Sequence, residues 1–527
     1  MLTLPLEPTD DRANPVFKDA ASCAQWLGQL QLTNLQLAHS KLLAQINEIN
    51  SYPMRGLERL HTLEILRETA GFVQEDLAKK LIDKPLPLND GELMVFLSVV
   101  QLWQALVVGY QRCLQAYIAG DKQLAKHGAL ICQRCLLYSG QQILEHLCTG
   151  YEFSPALWHQ LHELYAFAEQ HELHQTEVPD TPGNHPTNCV NSYVKTLLAC
   201  YTNPAQLTRW QLQQMDRWLS AWSNAVTVDR SYTISKNDAQ PHVTDLSGTQ
   251  GLQAVEGLAH HDAMRYLAMV PLSKLLRVKT ILLQQGQTPK QVGLGDHYDS
   301  QACLELLTYL NQCWCENKHK RTIARSPVEL HAQLCYKPEG IYAHLTGQPF
   351  QQRIHAAPGT SVHEQKNAQE LMEMGYPLEN WLMKNESIMG ARLTREDAIG
   401  GRFKCKQLIA LRPSDAQFFM LGVMSWANVT LNGKLEIGVR YLPGRPEPVR
   451  IHVPGINPAS SETCAPAFLL PALPSLNSPA SLIVPRDWFQ ANRLIEVLHP
   501  DDSTLTVKLG FSVERGLDYE RASFTAM

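Results

Sequence analysis

The stretch 327-PVELHAQLCY-336 marks the point at which the chain changes its structural period. Apolar side chains occupy every second position from Val328 to Tyr336, and mostly polar side chains lie between them. This alternation places one face of a β-strand against a core and the other face against solvent. The stretch therefore predicts a half-buried strand at the start of a β-rich region.

The region that follows repeats this pattern. In 434-KLEIGVRYL-442 the alternating apolar positions are Leu435, Ile437, Val439 and Tyr441. Asn432-Gly433, just before it, is a strong hairpin signal and joins this strand to the apolar run 417-QFFMLGVMSW-426. The β character continues through 481–498 and 503–516, after a linker rich in Pro and Ser at about 454–480. Short strands with tight turns predict an antiparallel barrel or sandwich.

The chain before residue 318 has a different period. Apolar residues recur there at intervals of three and four, which indicates amphipathic helices. These helical runs are 24–46, 58–82, 122–148, 155–172, 190–223, 260–285 and 299–317. The interval 225–250 is an exception, because 226-VTVDRSYTIS-235 and 241-PHVTDLSG-248 predict a short hairpin.

A chain of 527 residues exceeds what one hydrophobic core usually serves. We predict an α+β multidomain protein, with an all-helical N-terminal domain followed by an antiparallel β-barrel with extra strands at the C-terminus. The predicted parts are a helical domain at 1–317, a barrel at 318–453 with an insertion at 341–380, and a linker with additional strands packing on the barrel at 454–527.

The composition indicates a cytoplasmic protein. Thirteen cysteines, an odd number without framework spacing, are typical of a reducing compartment. The N-terminus has Asp10 and Asp11 where an export signal would be apolar. Residues 93–111 lack charge and are long enough to span a bilayer, but Ser98 and three glutamines interrupt them. We therefore predict a buried helix there and no membrane span.

The net charge changes sign at the same boundary. Residues 318–450 hold eighteen Lys and Arg against twelve Asp and Glu, which gives +6, whereas the whole chain carries −5. A basic β-domain in an acidic protein favours an anionic ligand, although a solvated basic face is an ordinary alternative.

Two short motifs fit such a ligand. In 318-KHKRTIARSPVEL-330, Arg321 and Arg325 have the spacing R-x-x-x-R, and arginine pairs bidentately with phosphate and with the guanine edge. In 381-WLMKNESIMGARL-393, Asn385, Ser387 and Gly390 form N-x-S-x-x-G. The Asn amide can bond a base edge, the Ser hydroxyl a base or phosphate, and Gly lets the backbone turn without a Cβ.

These motifs, followed by 422-GVMSW-426 and 436-EIGV-439, resemble the PilZ domain that binds bacterial cyclic di-GMP, over roughly residues 318–450. The resemblance implies a six-stranded barrel and a receptor for this ligand. It implies that Arg321, Arg325, Asn385, Ser387 and Gly390 bind cyclic di-GMP, without a cofactor, a metal or catalytic residues. It further implies that binding changes the domain arrangement or the binding of a protein partner through the helical domain; nucleic acid is not an expected partner.

Two other functions stay open. A PilZ-like module that binds a protein and no nucleotide is the main alternative, although the branches that work this way have lost the arginine pair. A metal-dependent enzyme in the helical half is the weaker alternative. Cys132 and Cys135 have metal-ligand spacing but no second C-x-x-C, and the histidine clusters do not form H-E-x-x-H, so we predict core cysteines and no enzyme.

Overall fold

The protein is described by a computed structural model. It covers residues 2–180, 186–232, 241–255, 258–316, 325–351, 366–397, 399–454, 464–476, 478–501 and 503–527. Backbone contacts divide the chain into two units. The first unit consists of Met1–Lys84 and Leu88–Arg321, and the second consists of Pro85–Pro87 and Thr322–Met527.

The first unit is mainly helical. In its described residues the α-helices are α1 (Ala20–Gly28), α2 (Leu35–Ser51), α3 (Gly56–Ala78), α4 (Asp90–Ile118), α5 (Gly128–Thr149), α6 (Pro155–Gln170), α7 (Cys189–Tyr201), α8 (Arg209–Trp222), α9 (Val270–Gln284) and α10 (Ser300–Cys315). Reciprocal capping boxes at Asp19, Asn89 and Thr208 fix where α1, α4 and α8 begin. The apolar faces of these helices pack into one continuous core.

Helix α4 contains the uncharged stretch of the sequence. Within the described part of the chain it is the one helix that is long and apolar enough to cross a membrane. Half of its most apolar window is buried, and the helix packs against α2, α3 and α5. A core helix of a soluble protein has the same length and composition.

The predicted hairpin within 225–250 is wrong. The first unit contains strands β1 (Thr227–Asp229), β2 (His242–Asp245), β3 (Gln253–Ala254) and β4 (Met264–Ala268). Their order is β1-β4-β2-β3, so β4 lies between the two segments that were expected to pair. The sequence analysis assigned β4 to the helical run 260–285, but α9 begins only at Val270, with Pro271 in its first turn. The helical run 190–223 likewise separates into α7 and α8.

A buried ionic cluster connects α3 and α5. Arg134, whose side chain is fully buried, donates through Nε and Nη2 to the two carboxylate oxygens of Glu64 at 2.8 and 2.9 Å. It also donates to the carbonyl oxygen of Pro179 at 2.8 Å. Burial raises the pKa of Glu64, but hydrogen bonds and charge from Arg134 outweigh it, so the pKa lies below its ordinary value.

The second unit is built from β-strands. Its strands are β5 (Ser326–Tyr336), β6 (Leu378–Ser387), β7 (Gly390–Arg395), β8 (Leu408–Pro413), β9 (Met420–Val429), β10 (Leu435–Tyr441), β11 (Glu447–His452), β12 (Ala465–Leu470), β13 (Ser481–Pro485), β14 (Leu494–Leu498), β15 (Thr504–Arg515) and β16 (Tyr519–Ala526). Between β5 and β6 lie α11 (Pro338–Thr346) and α12 (Ala368–Glu373). The described strands form two closed antiparallel barrels, a first barrel ordered β10-β7-β6-β5-β8-β9 and a second barrel ordered β11-β12-β13-β16-β15-β14.

This architecture confirms the predicted fold class, a helical N-terminal region followed by a closed antiparallel barrel. The additional C-terminal strands differ from the prediction, because they close into a barrel of their own instead of only packing on the first. They do so with β11, which lies before residue 454. In the predicted insertion at 341–380, α12 is followed by β6, which already begins at Leu378.

The two barrels share a hydrophobic core. Leu408, Ala410 and Leu421 of the first barrel pack in one cluster with residues of the second, including Phe468 and Tyr519. Cys335 belongs to the same cluster and is fully buried. The alternation predicted for β5 therefore ends there, because α11 packs on the outer face of the strand and joins it to this shared cluster.

Residues Pro85–Pro87 belong to the second unit although the chain on both sides of them belongs to the first. Leu86 and Phe403 exchange backbone hydrogen bonds of 2.8 and 2.7 Å. Arg402 donates to the carbonyl oxygens of Pro85 and Pro87 at 2.9 and 2.8 Å. The backbone hydrogen bonds with Phe403 and the guanidinium of Arg402 thus attach this segment to the barrel unit.

We expect Glu64→Gln to lower the free energy of unfolding of the first unit by about 3 kcal/mol, because Arg134 would keep a buried charge without its carboxylate. Urea denaturation followed by circular dichroism at the helical band measures the change. Since the folded-state pKa of Glu64 is depressed, the parent's advantage should be present at neutral pH and decline as the pH falls through that pKa.

The matched control is Glu75→Gln, which breaks the solvent-exposed pair with Arg217. It should cost less than about 1 kcal/mol. Equal losses in the two variants would contradict a special role for the buried cluster.

Candidate functional site

The N-x-S-x-x-G motif forms the turn between β6 and β7. Ser387 ends β6 and pairs with Gly390 at the start of β7, so Ile388 and Met389 form a two-residue turn. The Ser387 hydroxyl donates to the carbonyl oxygen of Gly390 at 3.2 Å and accepts from the backbone N–H of Met389 at 3.4 Å. The serine therefore stabilises its own turn, which fixes the hairpin that carries the motif.

Gly390 is required by a close backbone approach. A Cβ atom at this position would lie 2.0 Å from the carbonyl oxygen of Val439 on β10. The φ angle of Gly390 is 159°, close to extended backbone, so the constraint is the space between β7 and β10 and not a left-handed conformation. Any side chain here would force these two strands apart.

A hydrogen bond joins the two motifs. Arg325, just before β5, donates from Nη1 to the side-chain oxygen of Asn385 at 2.9 Å, across 60 residues of sequence. Because a guanidinium only donates, the amide oxygen of Asn385 must face the arginine. Both residues are half-buried. The other arginine of the first motif, Arg321, lies outside the described residues.

A row of residues crosses the outer face of the first barrel. Asn385 on β6 lies opposite Arg392 on β7, Arg392 opposite Gly438 on β10, and Gly438 opposite Trp426 on β9. At about 4.8 Å between strands, this row is about 14 Å long. It combines an amide, a guanidinium and an aromatic ring on one surface.

The tryptophan in this row lies across a glycine. A Cβ atom on Gly438 would be 2.0 Å from the indole Nε1 of Trp426, so the ring occupies the space that a side chain would fill. The ring is half-buried, and one extra residue, Ser425, is accommodated where the β9–β10 register shifts. The glycine and the bulge thus create a flat aromatic surface beside Arg392.

Two further arginines belong to this face, and each has an acidic partner. Arg392 donates to Glu436 at 2.5 Å, and Arg440, which lies opposite Gly390, pairs with Glu514. Since side chains on a strand alternate between faces, Arg440 shares the outer face of β10 with Gly438. The site is therefore rich in cations that already have hydrogen-bond acceptors.

Tyr441 connects the end of β10 to the β6–β7 hairpin. Its hydroxyl donates to Glu386 at 2.9 Å, and its backbone N–H donates to the carbonyl oxygen of Met389 at 3.0 Å. Burial and the neighbouring Glu386 raise the pKa of Tyr441, while the charge of Arg325 opposes them. The tyrosine is thus a neutral hydroxyl that ties β10 to the hairpin turn.

The sequence analysis missed Arg392 and Arg440, and it did not assign a binding role to Trp426. The alternation of side chains along a strand could have indicated such residues. Glu436, Gly438 and Arg440 occupy the outward positions of the stretch whose inward positions predicted β10. Which of these outward positions lie beside Asn385 depends on cross-strand register.

The rival metal chemistry finds no support among the described residues, where no group of three or more His, Cys, Asp or Glu is placed to hold a metal ion. Cys132 is buried, and burial raises the pKa of its thiol to about 12. Burial raises the pKa of Cys315 to about 11. Protonated thiols in an apolar core are poor metal ligands and poor nucleophiles.

Comparison with known proteins identifies the family. The family model described as the N-terminal domain of the cyclic-di-GMP receptor FimW matches residues 21–232, and the FimW C-terminal β-barrel domain matches residues 456–527. The cyclic-di-GMP receptor FimW of Pseudomonas aeruginosa is 20% identical, and the alignment covers 94% of this chain and 89% of that protein. The two family models together match more than half of the chain, at its two ends and in the expected order. The chain belongs to the FimW family, a family of receptors and not of enzymes.

Proposed function

We propose that this protein is a receptor for cyclic di-GMP that binds the dinucleotide on the outer face of β6, β7 and β10 of the first barrel. The observation that carries the proposal is the hydrogen bond from Arg325 to Asn385, which joins the two motifs expected to bind the ligand. Membership in the FimW family supports the ligand. The first barrel lies between the two ranges matched by the family models, so its residues are assigned from their geometry and motifs.

Each residue supplies one kind of contact in this proposal. Arg321 and Arg325 pair with the phosphates or the guanine edge, as guanidinium groups do. Asn385 offers its amide N–H groups to a guanine acceptor, since its oxygen faces Arg325. The Ser387 hydroxyl stabilises the turn and can accept a hydrogen bond from the ligand. Gly390 has no side chain that would obstruct a base on this surface.

The flat surface around Trp426 fits the other feature of the ligand. A guanine base is planar, and stacking on an aromatic side chain contributes about 1–3 kcal/mol per base in nucleic-acid recognition. Trp426 lies in the same cross-strand row as Asn385 and Arg392. A base stacked on the indole would therefore keep its phosphates beside arginine side chains.

We further propose how binding becomes a signal. Residues 317–324, which contain Arg321, connect α10 of the first unit to β5 of the second. A ligand that binds this arginine on the barrel would change how the helical unit meets a protein partner. The shift is limited by the difference in ligand affinity between the two arrangements. We also propose that the receptor is cytoplasmic, because its cysteine content is typical of a reducing compartment.

Calorimetric titration of the purified protein with cyclic di-GMP should show saturable binding, because the site combines guanidinium groups, an amide and an aromatic surface. GTP and cyclic AMP should compete poorly, since neither presents two guanine bases on one cyclic backbone. If saturating cyclic di-GMP gives neither heat nor a thermal shift, the receptor proposal fails and a protein-binding module takes its place.

Arg325→Ala and Arg321→Ala should each weaken cyclic di-GMP binding by about tenfold to a hundredfold, because a charge-assisted hydrogen bond contributes about 1.5–3 kcal/mol. Titration gives the affinities, and circular dichroism checks that both variants fold. Arg486→Ala, which removes an exposed arginine from the second barrel, is the charge-matched control and should bind like the parent. If the arginine variants bind as tightly as this control, the segment R-T-I-A-R is an ordinary basic linker and has no role in binding.

Gly390→Val should impair both stability and binding, because its side chain would collide with the Val439 carbonyl and push β7 away from β10. We expect a clear fall in melting temperature and loss of measurable cyclic di-GMP binding. Gly28→Val is the control, since Gly28 is exposed at the end of α1 and a Cβ atom there meets no neighbouring atom within 4 Å. A fully stable Gly390→Val protein would contradict the close approach of the two strands.

A further inference from the structure

Arg440 lies at the edge of the proposed site, where no motif assigns it a role. It pairs with Gly390 in the β7–β10 ladder, one position along from the pair Ala391 and Val439. Its side chain emerges on the same outer face as Gly438, next to the hairpin that carries Asn385 and Ser387. About two fifths of this side chain is exposed, so the guanidinium lies within reach of a ligand bound over the hairpin.

The partner of Arg440 comes from the second barrel. Its guanidinium donates to Oε1 of Glu514 near the end of β15, and the hydroxyl of Tyr519 on β16 donates to the same oxygen at 2.9 Å. The turn between β15 and β16 is itself fixed to the first barrel. The backbone N–H of Leu517 donates to the carbonyl oxygen of Lys406 at 2.8 Å. The last hairpin of the chain thus holds a carboxylate at the edge of the proposed site.

A carboxylate and a phosphate bind a guanidinium in the same way, through parallel charge-assisted hydrogen bonds. The pair of Arg440 and Glu514 is partly exposed, with 39% and 27% of the two side chains accessible to solvent. Water can replace the lost contact of either group, so exchanging the partner of such a pair requires little free energy. Glu514 can keep its hydrogen bond from Tyr519 when Arg440 leaves.

Building on the proposed function, we infer that Glu514 and the anionic ligand compete for Arg440. In the absence of ligand, Glu514 holds the arginine beside Gly390. When a cyclic dinucleotide binds over the β6–β7 hairpin, its phosphate takes the guanidinium and the carboxylate is released. The last hairpin of the second barrel then loses one of its contacts with the first barrel. Ligand binding would thus change the contacts of the C-terminal end of the chain.

The test is a double-mutant cycle measured by titration with cyclic di-GMP. Glu514→Gln removes the competing charge but keeps an acceptor for Tyr519, and it should tighten binding by about twofold to tenfold. Arg440→Gln should weaken binding by a few-fold. In the Arg440→Gln background, Glu514→Gln should change the affinity no further, because the group for which it competes is gone.

The control for net charge is Glu496→Gln, which removes one carboxylate from its pair with His452 within the second barrel. It should leave the affinity unchanged. Binding by Glu514→Gln that is equal to or weaker than the parent's would overturn the competition while leaving the receptor proposal intact. Absence of binding in the parent would overturn both.

A second measurement serves if Glu514→Gln fails to fold by circular dichroism. Hydrogen exchange of the parent protein should show faster exchange at the amide of Leu517 when cyclic di-GMP is bound, because the neighbouring ion pair is broken. Unchanged or slower exchange there would overturn the proposed competition.

Discussion

Apolar packing between the two barrels determines which face of the first barrel is available. Leu408, Ala410 and Leu421, on the outward positions of β8 and β9, form one core with Phe468 and Tyr519 of the second barrel. Burying these side chains against one another is what stabilises the barrel pair, at about 25 cal/mol per Å² of apolar surface. The outward positions of β7 and β10 are polar or glycine instead: Gly390, Arg392, Thr394, Glu436, Gly438 and Arg440. The second barrel thus leaves that face for the proposed site.

The elements that sequence alone predicted are those set by local chemistry. Asn432-Gly433 predicted the β9–β10 hairpin, and Gly433 has a φ of 74°, the left-handed conformation that glycine adopts easily. Period-two patterns predicted β5 and β10 for the same local reason. Closure of the second barrel was not predictable in this way, because β11 pairs with β14 across a long stretch of chain. The burial of Cys335 was not predictable from the alternation either, because its cluster contains Ile341 of α11 and residues of the second barrel.

Some residues of the candidate site were likewise predictable from local sequence, and others only from the fold. Asn385, Ser387 and Gly390 lie within six residues, so a motif identifies them without any knowledge of the fold. Arg392 and Arg440 are placed beside them only by the β6–β7–β10 register, and a shift of one residue would move both to the barrel interior. The need for glycine at 390 likewise comes from Val439 on another strand. The motif therefore does not identify the residues that the pairing of β6, β7 and β10 places beside it.

The arginines of the proposed site are engaged before any ligand arrives. Arg325 donates to Asn385, Arg392 to Glu436, and Arg440 to Glu514. Binding an anion there exchanges one acceptor for another, so the affinity reflects the difference between the two and not the full strength of a charge pair. A neutral amide is the weaker competitor and a carboxylate the stronger one. The identities of residues 385, 436 and 514 therefore set how strongly each arginine can respond to a phosphate, and Glu514 extends that control to the second barrel.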